Sequence, residues 1–379
     1  MAPWQLHLSA VFQIQVWFRQ NIMISLLLSL LCAAVLAIYQ QAWAGEKLLY
    51  AVIYKGSGYT AVKTDIFSLD VETGEKSPIF SDEKTPIVLK QHLYVFHFPV
   101  VGGRKLFAHA IDRGGQAPFP GNGSLYEIFT DGSNRFQKIA PVSGVESLGD
   151  IFVNSTGTRI GYINRINRKQ YIFIHDVATG DRLHRADITD KFLDCYAASI
   201  GWLPGSEKLF FSLQTGDDHV TSKASYAKVG TYIMNESGSH LTKFAKLPLP
   251  EGFLPPEMER MIGILPTGEY VFETTVRKKH VSQKQNQFDF VLAKFKKNSQ
   301  EFGDLSFRQA TQLYRGVTVI YRLSPSGKYL SAAALPILSS ALSWDIWLKY
   351  VQTGEERNIL SIPTEGLNGP FLGLIGWLD

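Results

Sequence analysis

From Gly45 onward the chain is written in short apolar runs rich in β-branched and aromatic residues, each closed by a polar cluster holding Gly, Asp, Asn, Ser or Thr. That pattern predicts half-buried strands joined by tight turns, and no long helical period competes with it. Two registers recur. In the first a turn opens an apolar strand, at Gly45-Glu46-Lys47, Gly103-Arg104-Lys105, Gly157-Thr158-Arg159, Gly205-Ser206-Glu207-Lys208, Gly268-Glu269-Tyr270 and Gly327-Lys328-Tyr329. In the second an aromatic-rich strand runs into a hairpin turn, clearest where Asp65-Ile66-Phe67 leads to Asp70-Val71-Glu72-Thr73-Gly74. Close copies are Tyr171-Ile172-Phe173 leading to Asp176-Val177-Ala178-Thr179-Gly180, and Asp345-Ile346-Trp347 leading to Val351-Gln352-Thr353-Gly354. Weaker ones lie at Leu125-Tyr126 with Asp131-Gly132, Tyr232-Ile233 with Ser237-Gly238, and Phe290-Val291 with Asn298. Each turn carries the small or Asx residue that tight hairpins require.

The glycines of the first register, at 45, 103, 157, 205, 268 and 327, are 58, 54, 48, 63 and 59 residues apart, a period suited to a four-stranded unit with an extra loop. The repeat is also circular. Gly201-Trp202-Leu203-Pro204-Gly205-Ser206-Glu207-Lys208-Leu209 in mid-chain is reproduced by the last residues, Gly376-Trp377-Leu378-Asp379, continued by Gly45-Glu46-Lys47-Leu48. A chain whose final strand completes the unit begun by its first strand closes a ring. The expectation is an all-β, six-bladed β-propeller over residues 45–379, its ring closed by pairing Phe371 to Leu378 beside the strand that begins near Lys47.

Composition fits this picture. Of 379 residues 45% are hydrophobic and 12% aromatic, enough for a core, and 19% are charged. A formal net charge of +4 is small for this length and argues against nucleic-acid binding, which calls for a larger basic excess. Residues 1–44 read as an export signal or an N-terminal membrane anchor. Ile22 to Ile38 is uncharged and apolar, Arg19 precedes it, and Ala42-Trp43-Ala44 has the small-x-small pattern of a cleavage site. Both readings imply a periplasmic or extracellular body, tethered to the inner membrane if the segment is retained. With Cys32 in that leader, Cys195 is the one thiol left, so no intramolecular disulfide forms, and Cys195 reads as a small buried apolar residue rather than a nucleophile.

Candidate chemistry is sparse. His92 and His97 are five apart, which on a strand sends them to opposite faces. Asp217-Asp218-His219 is a compact acid and imidazole group in a Gly-containing loop, with the donor types for a divalent cation; the alternative is a solvated polar turn. Arg277-Lys278-Lys279-His280 with Lys284, followed by Lys294, Lys296 and Lys297, gives the fifth unit a local basic excess that suits either an anionic partner or protection of an exposed outer strand. Residues 117–123 hold Pro118, Phe119, Pro120, Gly121 and Gly123, a candidate rim loop. No cofactor motif is present in this reading.

Leu323-Ser324-Pro325-Ser326-Gly327-Lys328-Tyr329-Leu330, Asp345-Ile346-Trp347-Leu348 and Thr353-Gly354-Glu355 together resemble one complete blade of the TolB-like six-bladed propeller family, and the other five units resemble it in part. The resemblance covers roughly Gly45 to Asp379 and describes a blade, not a chemistry. The family's translocation protein carries an α/β domain before its propeller, whereas here the first repeat follows the leader directly. Prolyl-oligopeptidase-like enzymes with related propellers need a Gly-x-Ser-x-Gly elbow that this sequence lacks. The functional expectation is therefore an exported, non-catalytic scaffold that binds an envelope protein or glycan, with peripheral or anchored membrane association. The alternative is an envelope hydrolase or lyase with dispersed residues around the central channel.

Overall fold

The computed structural model describes residues 46–55, 61–89, 100–101, 105–113, 123–142, 147–167, 169–189, 195–203, 206–215, 230–245, 259–276, 289–295, 303–304, 320–334, 343–363 and 370–378. Every regular element among them is a strand, and the strands form six antiparallel sheets. The first contains β1 (Lys47–Lys55), β2 (Ala61–Asp70) and β3 (Lys76–Ser81). The second contains β4 (Ile87–Leu89), β5 (Val100–Val101), β6 (Lys105–Asp112), β7 (Gly123–Phe129) and β8 (Phe136–Val142). The third runs β9 (Ser147–Val153), β10 (Arg159–Ile166), β11 (Lys169–Asp176), β12 (Arg182–Asp187), and the fourth β13 (Cys195–Trp202), β14 (Lys208–Thr215), β15 (Gly230–Asn235), β16 (Thr242–Ala245). The fifth is β17 (Glu259–Ile264), β18 (Tyr270–Val276), β19 (Asp289–Phe295), β20 (Gly303–Asp304), and the sixth β21 (Ile320–Leu323), β22 (Tyr329–Ala334), β23 (Ser343–Tyr350), β24 (Glu356–Pro363). The last strand, β25 (Phe371–Leu378), returns to the first sheet and pairs with β1. Both registers read from sequence land on one place in each unit. The first opens the second strand of a sheet, and the second leads into the hairpin between third and fourth strands.

Strand period 2 explains why both faces of these strands are apolar. Along β1, Leu49, Ala51 and Ile53 enter a core shared with the second sheet, while Leu48, Tyr50 and Val52 enter one shared with the sixth. Similar cores fill the seams between the second and third, third and fourth, and fifth and sixth sheets. At about 1.5 to 3 kcal/mol per fully buried Val, Leu, Ile or Phe, these seams dominate the stabilisation. The innermost strands follow one another around an axis: β9 beside β13, β13 beside β17, β17 beside β21, β21 beside β25, and β25 beside β5, with β6 against β9 completing the circuit. In the second unit two short strands, β4 and β5, both pair with β6.

The closure matches the circular repeat residue by residue. Leu48 pairs with Trp377 and Lys47 with Leu378, as Leu209 pairs with Trp202 at the same place in the fourth sheet. A second device runs around the ring. In the second, third and fourth units the hairpin turn between third and fourth strands rests on the outermost strand of the unit before it: Gly132 lies over the Pro78 carbonyl, Gly180 over the Ile139 carbonyl, and Gly238 over Ala186. The rule holds across the closure, where Arg357 of β24 donates a hydrogen bond to the carbonyl of Val71 in the first unit. These turns cover free strand edges that would otherwise invite pairing with another chain.

One expectation is corrected. Lys294 was expected on an exposed outer strand, but β19 is the third strand of its sheet, paired with β18 on one side and β20 on the other. Lys294 is accordingly only partly exposed, and its Nζ lies 3.9 Å from Glu269.

Candidate functional site

Because every sheet is antiparallel and all point the same way around the ring, the connections divide between two ends. At one end lie the links between first and second strands and between third and fourth, each three to seven residues long. Their turns are capped by their own side chains: Asp70 Oδ1 accepts from the amides of Glu72 and Thr73, and Asp176 Oδ1 from that of Thr179. The opposite end carries much longer connections, including 216–229, 246–258, 277–288 and 305–319, all within or between the fourth, fifth and sixth units.

The residues singled out from sequence distribute over these ends. Asp217, Asp218 and His219 belong to 216–229, Arg277, Lys278, Lys279 and Lys284 to 277–288, and all lie outside the described residues, as do His92, His97, Phe119, Lys296 and Lys297. Cys195 opens the innermost strand β13. Segment 277–288 leaves the sheet at Val276, paired with Asp289, whereas 296–302 leaves at Phe295, paired with Tyr270. The two halves of the basic run are thus attached to opposite ends of one hairpin, ~20 Å apart at ~3.3 Å per residue.

Several buried polar groups elsewhere are committed to joining units or to bracing a single sheet. Glu236 accepts from Trp202 Nε1 at 2.7 Å and from Arg159 at 2.6 Å, joining the third and fourth units. Asp82, fully buried, accepts from the amides of Thr64 at 2.8 Å and Leu89 at 3.0 Å. Burial pushes its carboxyl up, against the pull of those amides and of Arg113. With its oxygens so occupied, Asp82 is a staple between the first and second units, not an acid available to a substrate. Lys349 and Glu356 form a buried ion pair at 3.0 Å. His175, stacked on Tyr162 with its Nδ1 against the Gly180 carbonyl, is held neutral chiefly by burial. At the closing seam Glu72 accepts from the Tyr329 hydroxyl and from Lys328, and these bonds hold its carboxyl below the usual range, while burial pushes the Tyr329 phenol up to about 12. Glu46 takes bonds from the amide and hydroxyl of Ser326 across the same seam. Among the described residues no group of three His, Cys, Asp or Glu is placed to hold a metal ion.

An open cleft of about 410 Å³ lies along β3, between the first unit and the turn of the second. It is lined by Phe67 and Pro78, with Lys63, Asp65 and Glu83 beside them, while the Phe80 side chain is buried in the core shared with the second unit. Lys63 Nζ sits between the two carboxylates, 3.1 Å from Asp65 and 3.0 Å from Glu83, and those contacts raise its pKa to about 12. Lys63 and Asp65 share a strand face two residues apart, a pairing visible in sequence; Glu83 joins them only through the fold.

The architecture is a β-propeller. Solved structures of that class resemble it. TolB from Acinetobacter baumannii aligns over 87% of this chain with a TM-score of 0.53 and 11% identity. A putative TolB from Agrobacterium tumefaciens aligns over 87% of this chain and 99% of its own, at 12% identity and a TM-score of 0.46. A putative 6-phosphogluconolactonase from Bacteroides fragilis covers 84% of this chain and 82% of its own, at 13% identity and a TM-score of 0.39. The likeness is one of fold, and the chain spans 66% of the length of the Acinetobacter protein. No family model matches the sequence, and no curated protein does.

Proposed function

We propose that this propeller is a non-catalytic binding scaffold of the TolB-like kind, exported to the cell envelope, that docks an acidic protein or anionic glycan on the end carrying its long connections. The observation that carries the reading is where length and charge concentrate. Segments 216–229, 246–258, 277–288 and 305–319 hold nine Lys or Arg against four Asp or Glu, an excess larger than the +4 of the whole chain. The opposite end is made of short capped turns, several of them resting on a neighbouring unit, and the buried carboxylates Glu236 and Asp82 are engaged in seams. A face built this way recruits partners by electrostatic attraction and leaves the ring as a rigid support.

The test replaces 277–288 with a Gly-Ser segment of equal length and compares binding of envelope proteins and acidic glycans at low and high salt. The expected result is an unchanged thermal transition and loss of the salt-sensitive bound fraction. Retention of that fraction at low salt overturns the proposal.

A further inference from the structure

None of the residues lining the cleft along β3 belongs to the long connections, and neither its residues nor its chemistry enter the scaffold reading. We infer that it is a subsite for a neutral saccharide of one or two pyranose rings, packed on Phe67 and Pro78 and hydrogen-bonded by Asp65, Glu83 and Asn134. Its volume, about 410 Å³, falls within the ~300 to 1,000 Å³ of small-molecule sites.

Three features select the ligand class. The floor is apolar, with Phe67 stacked on Tyr50 at 5.5 Å, so that it offers a flat surface to the C–H face of a sugar ring. The rim is polar and already oriented. Lys63 holds one oxygen each of Asp65 and Glu83, which orients both carboxylates while Asp65 Oδ1 and Glu83 Oε1 face away from the lysine as acceptors. Asn134, fixed by accepting from the Ser81 amide at 2.8 Å, adds its Nδ2 as a donor. Finally, the charges balance. Lys63 and Lys84 stand against Asp65 and Glu83, which gives no net attraction for a phosphate, a carboxylate or an ammonium but suits hydroxyl groups, which both donate and accept.

Titration of the full chain with gluco-, galacto-, manno- and 2-acetamido-configured neutral disaccharides, followed by calorimetry and by perturbation of the Asn134 and Ser81 amide signals, tests this. At least one is expected to bind below about 10 mM, with affinity insensitive to salt. Glu83→Gln and Asp65→Asn are each expected to weaken binding about tenfold, with the thermal transition unchanged for Glu83→Gln, whose side chain is largely exposed. Three results overturn the inference: no heat and no shift from any disaccharide at that concentration, undiminished binding in the double variant, or preference for a charged analogue with salt-dependent affinity.

Discussion

Three turns read almost alike, Glu72-Thr73-Gly74, Ala178-Thr179-Gly180 and Gln352-Thr353-Gly354, and their glycines share φ of 75°, 75° and 73°. Their surroundings differ. A Cβ on Gly74 or Gly354 meets nothing within 4 Å, whereas one on Gly180 collides with the Ile139 carbonyl of the preceding unit. Gly74→Ala and Gly354→Ala should therefore cost about 1 to 2 kcal/mol, the cost of a left-handed backbone for an L-residue. Gly180→Ala adds a backbone clash and should exceed about 3 kcal/mol. Urea denaturation of the three variants checks this, and equal losses would refute the seam contact. Sequence made the turns legible, because their residue types demand a positive φ. It did not distinguish Gly180 from its copies, since the distinction lies in what the next unit brings to it. Glu236 and Asp82 were not legible for the same reason: each is an isolated residue in sequence and acquires partners only when sheets are set side by side.

At the level of elements, β25 is the test of closure. Leu372, Leu374, Ile375 and Trp377 are buried, so a chain ending at Pro370 loses the innermost strand of the first sheet and exposes an edge on β1. Unfolding or aggregation is expected, and retention of the full thermal transition would refute it. The same seam has a pH response. Glu72, depressed below its reference 4.5 by Tyr329 and Lys328, contributes stability that is present above that value and lost as pH falls through its folded value. Because Glu72 is nearly half exposed, the loss is modest, well within the ~1 kcal/mol of exposed pairs. Glu72→Gln should flatten the acid limb of a stability profile while leaving stability below the folded value of Glu72 little changed. An identical acid slope in both proteins would exclude this role.

For the molecule as a whole, two halves of one basic run have become two separate features. The segment holding Lys278 and Lys279 is attached at Val276 and Asp289, and the one holding Lys296 and Lys297 follows Phe295 at the other end of the hairpin. Substituting the first pair with Gln should weaken association with an acidic partner and flatten its salt dependence, which acts over ~8 to 10 Å at ordinary ionic strength. Substituting the second pair should leave association intact. Equal effects from both pairs would mean a partner that wraps the edge of the fifth unit. Fold class, unit boundaries and ring closure were readable because they are written in a repeat. The cleft along β3 was not, because its carboxylates come from β2 and from a connection, Asp65 and Glu83, that meet through a single lysine.

The pairing of Lys47 with Leu378 carries a consequence for how the molecule comes into being. A chain made from its N-terminus first emits β1 with no inner neighbour, and that strand waits for more than three hundred residues before β25 appears. Contacts so distant in sequence form slowly, since the loop between them must be ordered first. The nascent protein is therefore an open arc with one unsatisfied margin until its last eight-residue strand is released. Until that moment it remains a substrate for any factor that grips extended chains, and afterwards the inner margin of β1 is paired.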